Sequence, residues 1–455
     1  QGDTKKVLRD FESADDGGAG FPNVWERFGW AFSPTEQTNA DDISPENVAQ
    51  RLFLIINKLP EETIQKAIDG ISHLVSSWGG FALTIPEALE VWLKVWPLAV
   101  EATNKKAVKD AEDPFDEVFE SQEPKELDTL NSPAGKLVGA FLSSCPTVHP
   151  GEEIFQDGTS LKIMRDAIEE TIGVSGSIVK ARLIAQMPYF LTADSVWTKR
   201  ILVSPLFIDA AESLVLWDSV ARQRLSFEVM EVLGASMADR ATDSRLKRDT
   251  RKSLVFRIVI DCLHAYKDAR DPFVPHDRIE QMLRSLDEEV RAYGAEAVQR
   301  FVCDLSKRQG DNPPKYSPEH LFRTSAKPFI DDVWPKERSL ASPGVSNAFA
   351  DLPASAGDEF ANAVSVVAPF LVPFECWSMI DFGLYGSEDD EHKLKQINTP
   401  EKAAAFLQLL DKSIGDSERS VIPNDLADAL DQIRTAAPAL AAGRAFRRLA
   451  AAARR

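Results

Sequence analysis

Two residue patterns in this chain have types and spacing that chemistry could use. Gly234-Ala235-Ser236-Met237-Ala238 approaches the Gly-x-Ser-x-Gly elbow, in which a strained turn after a strand lifts a nucleophilic serine into the open. The last position is alanine, and both flanks carry helical periodicity rather than a strand. Ser177-Ile178-Val179-Lys180 has the Ser-x-x-Lys spacing of serine acyltransferases, but the same spacing recurs at Ser244-Arg245-Leu246-Lys247 and the partner motifs are absent. Both read as surface residues. The six histidines (His73, His149, His264, His276, His320, His392) are far apart, as are the four cysteines (Cys145, Cys262, Cys303, Cys376), with no C-x-x-C pair. There is no glycine-rich phosphate loop, no H-E-x-x-H and no calcium loop. Carboxylates are too plentiful to single out a catalytic pair. The sequence therefore assigns no catalytic residue, no metal ligand and no cofactor.

Binding residues are easier to nominate. Arg240, Arg245, Lys247, Arg248, Arg251, Lys252 and Arg257 crowd into eighteen positions of an otherwise acidic chain. Lys247 and Arg251 lie one helical turn apart, as do Arg248 and Lys252, so they share a face. That face could grip an acidic protein or a phosphate backbone, or it could pair with acids of a neighbouring helix. Reversing charge at Arg248 and Arg251 is expected to weaken partner binding without unfolding the chain. The second basic cluster, Arg444, Arg447, Arg448, Arg454 and Arg455, sits where a helix C-terminus favours cations anyway. Phe21 to Phe32 is aromatic-rich, with Trp25, Phe28, Trp30 and Phe32. It is either the packed start of the core or a contact surface, for which Trp25 and Trp30 are the candidates.

Composition narrows the function classes. The chain has 455 residues with 52 Lys and Arg against 71 Asp and Glu, a net charge of −19. A field of that sign repels phosphate, so nucleic acid and anionic membrane are not expected partners. No apolar run reaches the roughly 18 residues that span a bilayer. Scattered cysteines fit free thiols in a reducing cytoplasm. The chain begins Gln1-Gly2-Asp3 and its first methionine is Met164, which suggests a segment of a longer protein whose catalytic domain could precede it.

The elements that must position these residues read as helices throughout. Ser44 to Trp96 reads as three consecutive amphipathic helices, the clearest being Pro60 to Trp78 with Ile64, Ala67, Ile68, Ile71, Leu74, Val75 and Trp78 on one stripe. Starts are marked by a Pro-Glu pair after a small polar or apolar residue, at Ser44-Pro45-Glu46, Leu59-Pro60-Glu61, Ile85-Pro86-Glu87, Ser317-Pro318-Glu319 and Thr399-Pro400-Glu401. Thr84 with Glu87 fits a capping box, and Ser132-Pro133 and Asp194 are further starts. Glu101 to Asp128 reads as an acidic surface helix plus loop, and Glu388 to Glu391 as an acidic loop. One helix is expected over Pro275 to Val290 and another over Phe349 to Phe370. No period-2 run bounded by hairpin turns occurs. The expectation is an all-α fold, an irregular helical-repeat array of α-solenoid type, in three regions: 1–128, 129–310 and 311–455.

Two stretches carry a family resemblance. One is Leu130-Asn131-Ser132-Pro133-Ala134-Gly135-Lys136-Leu137; the other is the tail, with Trp334-Pro335, Pro369-Phe370-Leu371-Val372-Pro373, Phe406 to Asp411, and Pro438 with Phe446 and Leu449. Together they resemble the helical C-terminal region of large bacterial anti-phage defence proteins, in which an N-terminal effector, often a sirtuin-like NAD-cleaving domain, comes first. The matching positions are caps, breakers and core, so no catalytic residue is carried over. The resemblance implies a sensor or scaffold that recognises a phage component, binds its own N-terminal effector domain, or self-associates. The leading expectation is a non-catalytic protein-interaction module. The alternatives are an enzyme whose site is assembled from distant helices and a nucleic-acid binder using residues 240–257.

Overall fold

The computed structural model describes residues 4–34, 44–81, 85–111, 127–149, 151–223, 226–307, 314–384, 393–417 and 419–454. Thr84, the acidic run Glu388 to Glu391, His392, Arg455 and most of the expected linker at 309–316 lie outside that set. The fold is all-α, and no strand occurs among the described residues. The chain divides into two compact units, Gln1–Glu228 and Val229–Arg455. The boundaries expected at 128 and 310 border stretches outside the described residues.

The start signals work as their chemistry requires. Ser44 Oγ accepts the N–H of Asn47 at 3.4 Å, Ser132 Oγ that of Gly135 at 3.3 Å, Ser317 Oγ that of His320 at 3.2 Å and Thr399 Oγ1 that of Lys402 at 3.2 Å. In each case the proline that follows opens the helix, where its missing N–H would have had no partner. Asp194 likewise accepts from Trp197 N at 2.9 Å.

In the first unit, helix Pro22–Ala31 packs on Ile68–Ser77, which packs on Pro133–Ser144, followed by Gly173–Ile184 and Ala211–Arg222. Trp25, Trp78, Trp92 and Trp217 are its largest fully buried side chains. In the second unit, Arg248–Asp268 packs on Glu288–Leu305, which also carries Pro343–Asp351. Phe360–Val367, Pro400–Ser413 and Leu426–Ala436 follow in turn. Trp334, Phe322, Phe329 and Phe349 are fully buried there.

Several elements differ from the periodicity. Pro60 to Trp78 is two helices, Glu61–Lys66 and Ile68–Ser77, broken at Ala67 (φ −119°, ψ 29°). In an unbroken helix the Gly70 N–H would donate to Lys66; instead it donates to Glu26 Oε2 at 2.7 Å. Helix Pro86 onward does not stop at Trp96 but runs through Pro97 to Ala111. Proline costs it one bond, and packing offsets that: Trp92 and Trp96 stack at 4.8 Å, and their indoles donate to Leu137 O at 3.1 Å and Ala167 O at 3.2 Å. The stretch from Pro275 divides into His276–Ser285 and Glu288–Leu305, because Asp287 caps the second by accepting from Val290 N at 3.1 Å. Pro188 sits in the first turn of helix Met187–Ala193, where its missing N–H would have had no partner. The 349–370 stretch is interrupted at Gly357, whose φ of 61° no continuous helix allows.

The break at Ala67 coincides with a close helix crossing. A Cβ on Gly29 would lie 2.1 Å from Gly70 O, and one on Gly70 would lie 2.3 Å from Glu26 O. Gly29→Ala gains about 1 kcal/mol of helix propensity but must push two backbones apart, for a net expected loss of about 2 kcal/mol. Urea unfolding checks this against Gly20→Ala, where a Cβ meets nothing within 4 Å and stability should hold. Equal midpoints for the two variants would contradict the crossing.

A candidate partner-binding site in the second unit

The chemical patterns of the sequence separate on folding. Ser236 lies within helix Phe227–Ala241, with no strand to strain a turn before it. Ser177 Oγ and Lys180 Nζ both reach Glu212 Oε1, at 3.1 and 3.0 Å, so the lysine is ion-paired rather than aimed at the serine. Burial pushes the thiols of Cys145, Cys262 and Cys376 up to about 12, which removes thiolate chemistry at neutral pH. No group of three or more His, Cys, Asp or Glu capable of holding a metal ion occurs among the described residues.

The nominated binding residues do not form one site. Trp25 is fully buried, stacked on Phe11 at 4.2 Å with its Nε1–H on Gly17 O at 3.2 Å. It is a core residue, and the contact role expected for it is corrected accordingly. Trp30 remains half-exposed, stacked on His73 at 4.4 Å, with Lys136 Nζ 4.1 Å from its ring centroid. In the second unit the basic face meets acids. Arg248 and Lys252 converge on the two oxygens of Glu289, at 2.6 and 2.5 Å. Arg245 pairs with Asp243 at 2.9 Å, and that bond holds the Asp243 carboxyl down at about 2. Lys247, half-buried, takes the position before helix Arg248–Asp268. Arg251 is buried: it donates to Ala241 O at 2.9 Å and pairs with Asp287 at 2.7 Å. Arg251 is therefore structural, and the expectation that its charge can be reversed without unfolding is corrected.

Lys252 and Glu289 nevertheless mark the edge of something useful. They line a cleft of about 470 Å³ with Tyr293, Asn347, Asp351 and Ile380, formed by helices Arg248–Asp268, Glu288–Leu305 and Pro343–Asp351 and the short 3₁₀ turn Met379–Phe382. Asp351 makes no hydrogen bond or ion pair among the described residues. Burial lifts its carboxyl to about 6; Asp381 adds to the rise, while Lys393 and Lys307 oppose it. Gly383, at φ 66°, passes so close that a Cβ there would lie 2.0 Å from Asp351 Oδ1.

The sign of that shift sets a pH dependence. A carboxyl whose folded pKa is raised favours the fold while protonated, so its stabilisation is present below 3.8 and is lost as pH rises toward about 6. Asp351→Asn should therefore add on the order of 2 kcal/mol at pH 7 and almost nothing at acid pH. Urea midpoints of variant and wild type at both pH values check this; a gain that is the same at both would contradict it.

Beside the cleft stands a rigid apolar platform. Trp377 is 66% exposed and Ile380 is 61% exposed. The backbone beneath them is fixed by four successive N–H donors. Trp377 N and Ser378 N donate to Asp381 Oδ2 at 2.6 and 3.2 Å, Met379 N to Asp425 at 2.9 and 3.0 Å, and Ile380 N to Ser378 Oγ at 3.1 Å. Trp377 O accepts from Asn424 N at 3.0 Å. A tryptophan held in water by an ordered backbone is a preorganised contact, since little entropy is lost when a partner covers it. Sequence periodicity singled out none of Trp377, Ile380 and Asp351. The Ser378–Asp381 spacing is a capping-box signature that could have located the turn.

No protein-family model, curated protein or solved structure matches the chain. No helix among the described residues is long and apolar enough to cross a membrane.

Proposed function

We propose that this chain is a protein-interaction module, the sensor or scaffold part of a larger bacterial anti-phage defence protein acting in the cytoplasm, and that it takes its partner at the Trp377–Ile380 platform. The observation that carries the reading is the pairing of two exposed apolar side chains on a hydrogen-bonded turn with a cleft lined by a carboxyl that makes no ion pair among the described residues, Asp351. Interface hot spots have this anatomy: an aromatic anchor beside a pocket, rimmed by charge. Charge complementarity selects a partner segment with one large apolar residue and a basic residue that reaches Asp351. The defence context rests on the resemblance of residues 130–137 and of the tail. Nucleic acid is disfavoured because Arg245 is engaged by Asp243, Arg251 by Asp287, and Arg248 and Lys252 by Glu289.

Photo-crosslinking tests the placement. A photoreactive phenylalanine analogue at Ile380 should trap a protein from lysate of phage-infected bacteria. The same probe at Ile172, 80% exposed in the first unit, should trap none. Trapping at Ile172 alone would overturn the placement. The rival enzyme reading draws on the raised carboxyl of Asp351 in its cleft. It predicts a turnover that Asp351→Asn abolishes while crosslinking at Ile380 is absent.

A further inference from the structure

The deeply set arginines of this protein are almost all given acceptors. Arg165 pairs with Asp194 at 2.8 Å, Arg251 with Asp287 at 2.7 Å, and Arg291 donates to Leu283 O at 2.8 Å. Arg182, on helix Gly173–Ile184, is the contrast. It makes no hydrogen bond or ion pair among the described residues, and its Nε is shut off from solvent without an acceptor. Burial lowers its pKa and no carboxylate opposes that effect. The helix opposite leaves it room, since even a Cβ on Gly139 would lie 3.4 Å from its Nη2.

Arg182 lines a half-open pocket of about 140 Å³ together with Thr129, Asp218, Ser219, Arg222 and Gln223. At about 30 Å³ for each water-sized group, that is room for four or five such groups, the size of one tetrahedral oxyanion. We propose that this cavity is a binding site for a phosphate group, held by the guanidinium of Arg182 and selected by the carboxylate of Asp218. A guanidinium offers forked N–H donors that match oxyanion geometry. The buried Asp218 repels a fully ionised anion but accepts a hydrogen bond from a P–OH. Inorganic phosphate carries that proton near neutral pH; a monoester, whose second pKa is about 6, largely does not, and sulfate does not. The site lies in the first unit and is independent of the Trp377 platform.

Calorimetry on the full chain with inorganic phosphate, sulfate and glycerol phosphate tests this. Phosphate should bind at least about tenfold more tightly than sulfate, and Arg182→Gln should weaken phosphate by about tenfold or more, the scale of a charge-assisted bond. Asp218→Asn should narrow the gap between phosphate and sulfate. Binding of glycerol phosphate as tight as that of phosphate assigns the site to a monoester, and weaker binding assigns it to the free ion. Equal binding of phosphate and sulfate by wild type would overturn the role of Asp218. Absence of binding heat with every probe, or unchanged phosphate affinity in Arg182→Gln, would overturn the site. Should Arg182→Gln not fold, the wild-type phosphate-to-sulfate ratio alone decides.

Discussion

Trp377→Ala is expected to weaken partner binding by at least about thirtyfold, the scale of a hot-spot truncation of about 2 kcal/mol. The thermal midpoint should stay where it is. Both outcomes follow from the geometry. The side chain is 66% exposed, so its removal opens no cavity in the free protein. The turn beneath it is held through backbone N–H groups on Asp381 and Asp425, none of which depends on the indole. Quantitative mass spectrometry of the partner retained by wild-type and variant bait reads the ratio. Trp30→Ala is the matched control. Trp30 is the exposed tryptophan that the sequence nominated, yet it is already stacked on His73 and capped by Lys136. Its replacement should leave retention unchanged. Equal losses from the two variants would mean that exposed aromatic area, rather than this platform, governs capture.

Arg251→Glu is expected to cost about 3–5 kcal/mol, enough to unfold much of the second unit under mild denaturant. The guanidinium bridges Ala241 O, at the end of one helix, and Asp287, the cap that opens helix Glu288–Leu305. Reversal buries a second carboxylate beside Asp287 and orphans the Ala241 carbonyl. Arg248 lies about one helical turn before Arg251, and its side chain is 62% exposed over Glu289. Solvent screens that pair, so a far smaller loss is expected for Arg248→Glu. Circular dichroism across a urea series separates the two. A loss for Arg251→Glu no larger than that for Arg248→Glu would contradict its structural role.

These contrasts show what sequence could and could not convey. Helix starts were legible because a cap is local chemistry. Ser44, Ser132, Ser317 and Thr399 each act on an N–H three residues on. Breaks were not legible where their cause is tertiary. Nothing between Pro60 and Trp78 reveals that Glu26, 44 residues before Gly70, takes the N–H the helix needs. The basic face was visible as composition. Its neutralisation was not, because Glu289 lies 41 residues beyond Arg248. Periodicity assigned Trp25 and Trp30 one shared stretch, and only packing separated the buried one from the exposed one. Asp351 gained its character from burial, which a sequence rich in carboxylates could not single out.

A partner is expected to dock on the Trp377–Ile380 platform. Capture from bacterial lysate with and without phage infection, using wild-type and Trp377→Ala baits side by side, tests it most directly. A stoichiometric protein that appears only after infection should be bound by wild type and lost from Trp377→Ala. The same protein retained equally by both baits would contradict it.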